Sequence, residues 1–196
     1  MARPTVKQQR REQILDAFEV CVGRYGVEGA TLSRTADEAN LARPLVRHNV
    51  GNREDLLKAL TDRYLQSSRA KMASLFEALP DDNAADTLID RLFDPKQSDT
   101  KLVQVASALI KASSGNPYLA KQMRRWLDGF ISMLNDLLAK EFQNADPVDV
   151  AAVAAGVTGI YFNVEALYPL GDVRALLASS KRAASILIRS LEVGID

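Results

Sequence analysis

Apolar side chains recur at intervals of three and four residues through almost the whole chain, and alternating strand-like runs bounded by turn residues are absent. Ile14, Leu15, Phe18, Cys21, Val22 and Tyr25 share one face of a first helix over residues 7–25, which Gly26 ends. Thr31 is a candidate N-cap for a short helix through Ala39, and Asn40, which tolerates left-handed backbone, is its stop. Pro44 then opens a second short helix over residues 43–49, because proline is preorganised for a first turn and harmful deeper inside. Leu56, Leu57, Leu60, Tyr64, Met72, Leu75, Phe76 and Leu79 carry the helical period from Arg53 to Pro80. Further helices are predicted over residues 84–93, 100–113, 117–142, 147–167 and 172–193. Breakers part them: Asp94-Pro95, Gly115-Asn116-Pro117, Asp146-Pro147 and Pro169-Leu170-Gly171. The expected architecture is all-α, about nine helices, with a helical head over residues 1–52 and a larger helical body over 53–196.

Composition narrows the class. The 196 residues are 47% hydrophobic and 26% charged, with 25 basic side chains balanced by 25 acidic ones, proportions that exclude a disordered or collagenous chain. A single cysteine, Cys21, excludes an intramolecular disulfide framework, and with one histidine, His48, a conventional zinc site is not expected; no cofactor is implied. Cys21 lies on the apolar face and reads as core rather than sensor. The basic N-terminal stretch lacks the apolar run of a secretory signal, and a cytoplasmic location is expected. The longest uncharged apolar stretch, residues 150–164, would span roughly 22 Å as a helix against a hydrocarbon core of roughly 30 Å, so it reads as a buried helix. The neutral total conceals an asymmetry: Met1 to Arg53 carries nine Lys and Arg against six Asp and Glu, the remainder sixteen against nineteen. That is a mildly basic head on a mildly acidic body.

Two short helices joined by Asn40-Leu41-Ala42 and packed on a longer preceding one have the dimensions of a helix-turn-helix, whose second helix enters the DNA major groove. The residues Thr31-x3-Thr35-Ala36-x2-Ala39-Asn40-Leu41-Ala42-x-Pro44-x-Val46-x2-Asn49-Val50-x2-Arg53-Glu54-x-Leu56 resemble the N-terminal signature of TetR-type transcriptional regulators. That signature commonly reads T-x3-I-A-x2-A-G-V-S-x-G-x-L-Y-x-H-F-x2-K-E-x-L. The resemblance covers roughly residues 10–57 and includes Ile14-Leu15-Asp16-Ala17 and Gly26 to Thr31. Against it, Asn40 replaces the turn glycine, Ala42 the serine cap, Thr35 an aliphatic core residue and Val50 an aromatic one, while Arg47 stands where a phosphate-contacting tyrosine is usual.

On the second helix, Arg43, Pro44, Leu45, Arg47, His48 and Asn49 form the candidate DNA-reading face, while Val46 and Val50 point inward. Leu45 can meet a thymine methyl, and Arg47 can hold a phosphate or read guanine through its fork; His48 contacts DNA or is simply solvated. Thr31, Ser33 and Arg34 sit where free backbone N–H groups favour phosphate, and Arg53, which matches the family's lysine, is expected to grip phosphate too. Arg3, Lys7, Arg10 and Arg11 are either a basic arm reaching backbone or minor groove, or a solvated tail.

One such head reads few base pairs, so a homodimer on two half-sites of an operator is expected. Ala152, Ala155, Gly156 and Gly159, with Ile186, Leu187 and Leu191 on the last helix, are the candidate dimer interface; the alternative is that this small-residue stripe packs within one subunit. The resemblance implies pairing of the last two helices as a four-helix bundle, and a pocket for an unknown small-molecule effector among the central helices. Met123, Trp126, Phe130 and Tyr161 are its candidate lining, with Gln104, Asn163 and Glu165 as polar anchors. Glu165 is the only charge between Asp149 and Asp172, and is therefore paired, at a helix end, exposed or functional. The expected function is a TetR-like regulator, most often a repressor, that a small molecule releases from DNA. The alternatives are a constitutive DNA-binding protein without an effector and an all-helical enzyme. The last is disfavoured because there is no phosphate-cradling glycine loop or metal-ligand motif and no persuasively spaced carboxylate pair.

Overall fold

The computed structural model describes residues 5–192, and among these residues it is all-α. Nine α-helices follow in order: α1 Val6–Gly29, α2 Leu32–Glu38, α3 Arg43–Val50, α4 Arg53–Glu77, α5 Ala84–Leu92, α6 Thr100–Ala112, α7 Pro117–Glu141, α8 Pro147–Leu167 and α9 Arg174–Arg189. Short 3₁₀ turns, Ser113–Gly115 and Tyr168–Leu170, follow α6 and α8. The expected segments are all present; the last is shorter than its apolar pattern, starting after Val173, its N-cap, with Asp172 outside it accepting from Arg174 N at 3.1 Å, and passing into turns from Ser190.

Contacts divide the chain into two compact units, Met1–Ser68 with Lys101–Met123, and Arg69–Thr100 with Arg124–Asp196. The division falls inside α4, at the start of α6 and inside α7. In the first unit α1, α2 and α3 pack on one another. Their core is Ile14, Phe18 and Val22 of α1, Ala36 of α2, Val46 of α3, and Leu56 and Leu60 of α4. Cys21 is in this core, and burial, then the nearby Glu38 carboxylate, pushes its thiol pKa up, so it is held as the unreactive thiol.

The second unit is built around α8, which buries Val150, Val153, Ala154 and Val157 against Leu88 and Ile89 of α5, Leu134 and Leu138 of α7, and Ala184 and Ile188 of α9. With the turn after it, α8 forms the segment Pro147–Leu170, in which an 18-residue window reaches a mean hydropathy of 1.5, long and apolar enough to cross a bilayer by length and composition. The uncharged run of residues 150–164 understated this stretch. Its buried face lies in the core of this unit, as in the core helix of a globular protein.

Candidate nucleic-acid interface

The turn between α2 and α3 is made by the residues the sequence offers for it. Thr31 caps α2 through its Oγ1, which accepts from Arg34 N at 3.2 Å. Asn40 adopts φ 53°, the left-handed backbone that ends α2, and Leu41 N closes the turn on Ala36 O at 2.9 Å. Pro44 lies in the first turn of α3, and Ala42, its N-cap, makes no side-chain cap bond. Val46 is fully buried and Val50 half-buried, while Arg43, Pro44, Leu45, Arg47 and His48 are exposed. Thr35 is fully buried in the aliphatic position because its Oγ1 donates to Thr31 O at 2.9 Å.

The candidate contacts separate into two groups. Among the described residues no hydrogen bond or ion pair engages the side chains of Arg43, Arg47 or His48, and Ser33 is exposed on the first turn of α2. Arg34 and Arg53 instead turn back on the corner after α1. Arg34 Nη1 donates to Gly29 O at 2.8 Å and its guanidinium lies 4.6 Å from the centroid of the Tyr25 ring. Arg53 Nε donates to Ala30 O at 3.2 Å, its Nη2 donates to Val27 O, and Glu28 lies 3.6 Å away. The cause is Gly26, whose φ of 70° and ψ of 173° break the helix and leave carbonyls short of intrahelical partners. Asn49 is likewise engaged, Nδ2 donating to Leu45 O at 2.8 Å.

Three groups that sequence reasoning passed over fix this head. Gln13 Nε2 donates to Ala39 O at 2.9 Å, and Arg24 pairs with Glu38 at 3.1 Å, both securing the end of α2. Arg63 of α4 meets Glu12, Asp16 and Glu19 of α1 at 3.0, 2.6 and 3.0 Å. No local spacing announces such pairs, which join helices distant in sequence. Lys7, Arg10 and Arg11 are not an arm. Thr5 and Gln8 form a capping box that starts the helix at Val6, so these residues occupy its first turns, and Arg3 lies outside the described residues. A groove of about 610 Å³ beside α1 carries the carboxylates of Glu12, Asp16 and Glu38 against one cation, Lys101, a balance unsuited to phosphate.

The residues expected to line an effector pocket belong to both units. Gln104 is exposed on α6 in the first unit, where a Cβ at Gly23 would meet its Oε1 at 3.5 Å, and Met123 is buried in the same unit. In the second unit Phe130 stacks on Tyr161 with centroids 5.9 Å apart, and Phe162 contacts both Trp126 at 5.0 Å and Phe130 at 5.2 Å. These rings pack on one another, and Asn163 is exposed. Glu165 is buried and accepts from Ser98 Oγ at 3.2 Å; burial, reinforced by Asp99, raises its pKa. Among the described residues no group of three or more His, Cys, Asp or Glu is placed to hold a metal ion.

The dimer candidates also divide. Leu191 is buried in its own core, and Leu187 is half-buried against Gly156, where an added Cβ would lie 3.3 Å from Leu187 Cδ1. These three serve intrachain packing and leave Ala152, Ala155, Gly159 and Ile186 exposed.

This arrangement is the fold of the TetR-family transcriptional regulators, as the signature around α2 and α3 implied. A TetR-family member from Streptomyces coelicolor A3 superposes with a TM-score of 0.67 at 21% identity, over 91% of this chain and 98% of its own. The multidrug binding protein EbrR, solved with imidazole, does so at 0.62 and 21% identity, over 94% and 96%. In sequence the chain is 24% identical over 204 residues to the HTH-type transcriptional regulator BetI of Paraburkholderia xenovorans, covering 98% of this chain and all of that relative. It is 29% identical over 79 residues to BetI of Paraburkholderia phymatum, a match spanning only 40% of that relative's length. No family model matches the chain. The two BetI relatives are named as regulators of transcription, and none of these four proteins is named as an enzyme.

Proposed function

We propose that the protein is a cytoplasmic regulator, acting as a repressor, that binds operator DNA as a homodimer through α2 and α3 and is released by a small-molecule effector. The observation that carries the reading is the α3 face: Val46 anchors the helix, and two exposed guanidinium groups on it have no intramolecular partner among the described residues. A basic, unpaired helix face beside a capped turn is what a major groove accepts. The exposed Ala152, Ala155, Gly159 and Ile186 support the dimer, because small side chains let backbones approach closely. The effector part leans on likeness to EbrR, named a multidrug binding protein.

The test is a gel shift with duplexes from the promoter region beside the protein's own gene. Arg43→Ala and Arg47→Ala should each lower affinity at least about tenfold with unchanged thermal unfolding, since both side chains are exposed. Unaltered affinity in both variants rejects α3 as the reading helix.

A further inference from the structure

On α3 the inward direction is set by Val46 and, less completely, Val50. At about 100° per residue, Arg43 and Arg47 stand only about 40° apart, with Pro44 and His48 on the row beside them. Leu45, exposed, and Asn49, half-buried, form the remaining row, and there the Asn49 amide is spent on Leu45 O at 2.8 Å, which removes the bidentate grip that asparagine would need for adenine. Pro44 has no N–H and an aliphatic ring, so it offers nothing to a hydrogen-bonding base edge. Elsewhere in the head Arg10 bonds Gln13, Arg24 bonds Glu38, and Arg34 and Arg53 bond backbone carbonyls. The fork of a guanidinium, two parallel N–H donors, matches the O6 and N7 acceptors of guanine, and no other base edge accepts it as well.

We infer that Arg43 and Arg47 are the specificity-determining pair and that each reads one guanine, so the half-site carries two guanines one or two base-pair steps apart. The spacing follows from the helix: four residues advance about 6 Å along the axis, against about 3.4 Å per base-pair step. The inference deepens the proposed function and rests on it.

The experiment is selection of duplexes from a random pool by the full-length protein, repeated with Arg43→Ala, Arg47→Ala, Arg43→Lys and Arg47→Lys. The wild-type protein should enrich sites with two such guanines, and replacing either should cost roughly tenfold to a hundredfold in affinity. Each alanine variant should lose preference at one guanine and keep it at the other. The lysine variants should retain the salt dependence of binding and lose the same preference, because an ammonium cannot reproduce the fork. Sites without the guanine pair, or alanine variants that weaken all sequences equally with a shallower salt slope, would make these arginines phosphate contacts and overturn the assignment. Enrichment of no sequence at all would overturn the proposed function itself, an outcome distinct from an enriched site that lacks guanines.

Discussion

Thr35 illustrates how a single hydroxyl fits where an aliphatic residue would serve: its donor is absorbed by Thr31 O, which also accepts Thr35 N–H at 2.9 Å, so nothing polar is stranded in the core. Glu165 is a costlier case. Its carboxylate is buried beside Ser98, with the Asp99 carboxylate, itself paired to Lys71 at 2.5 Å, adding repulsion, and Tyr168 close enough to feel its charge. An acid whose folded pKa is raised favours the folded state below the ordinary carboxylate range and loses that contribution as pH rises through the folded value. Ionised Glu165 therefore costs stability at neutral pH. Glu165→Gln keeps an acceptor for Ser98 Oγ without the charge. It should unfold at a higher Tm than the wild type near about pH 7, with the difference shrinking toward about pH 4 as Glu165 takes up its proton. A pH-independent difference between the two melting curves would show that charge is not the cause.

At the scale of the element, α3 is a short helix held by one buried side chain and a proline. Ala42 has the extended backbone of an N-cap, φ −67° and ψ 134°, and supplies no acceptor. Ala42→Ser should offer a side-chain acceptor to Leu45 N–H, the capping donor left because Pro44 has none, and raise stability by about 0.5–1 kcal/mol, read from the urea midpoint. An unchanged midpoint would mean that the i to i+3 bond from Leu45 N to Ala42 O, 2.9 Å, already satisfies the turn. The positions of such elements were legible, because caps, proline and the left-handed Asn40 are local signals. The directions of the arginines were not. Arg34 and Arg53 have the residue type and place of phosphate contacts, yet their partners are carbonyls exposed only once Gly26 breaks α1 and α4 folds against that corner. The aromatic residues of the body were legible as a group, but whether they line a space or fill it depends on ring packing that no periodicity encodes.

At the scale of the whole molecule, the proposed homodimer needs a surface on which to pair, and the exposed small and apolar residues of α8 and α9 support that face. Ile186 is 60% exposed on α9, a branched apolar side chain placed outside its own core, while Leu187 and Leu191 beside it are turned inward. A face of Ala152, Ala155 and Gly159 on α8 offers shallow relief into which such a side chain can pack. Ile186→Glu puts a charge at that surface without touching the buried core. The wild type should be a dimer by light scattering and the variant a monomer with an unchanged helical spectrum. Operator affinity should then fall about a hundredfold, because two half-sites that were bound as one unit must be bound separately. Arg43→Ala gives the complementary pattern, weak DNA binding by an intact dimer, so the two variants separate reading from pairing. A wild-type monomer would overturn the homodimer itself, whereas an Ile186→Glu protein that still elutes as a dimer would move the interface off α9 and require another surface to set the spacing of the two α3 helices.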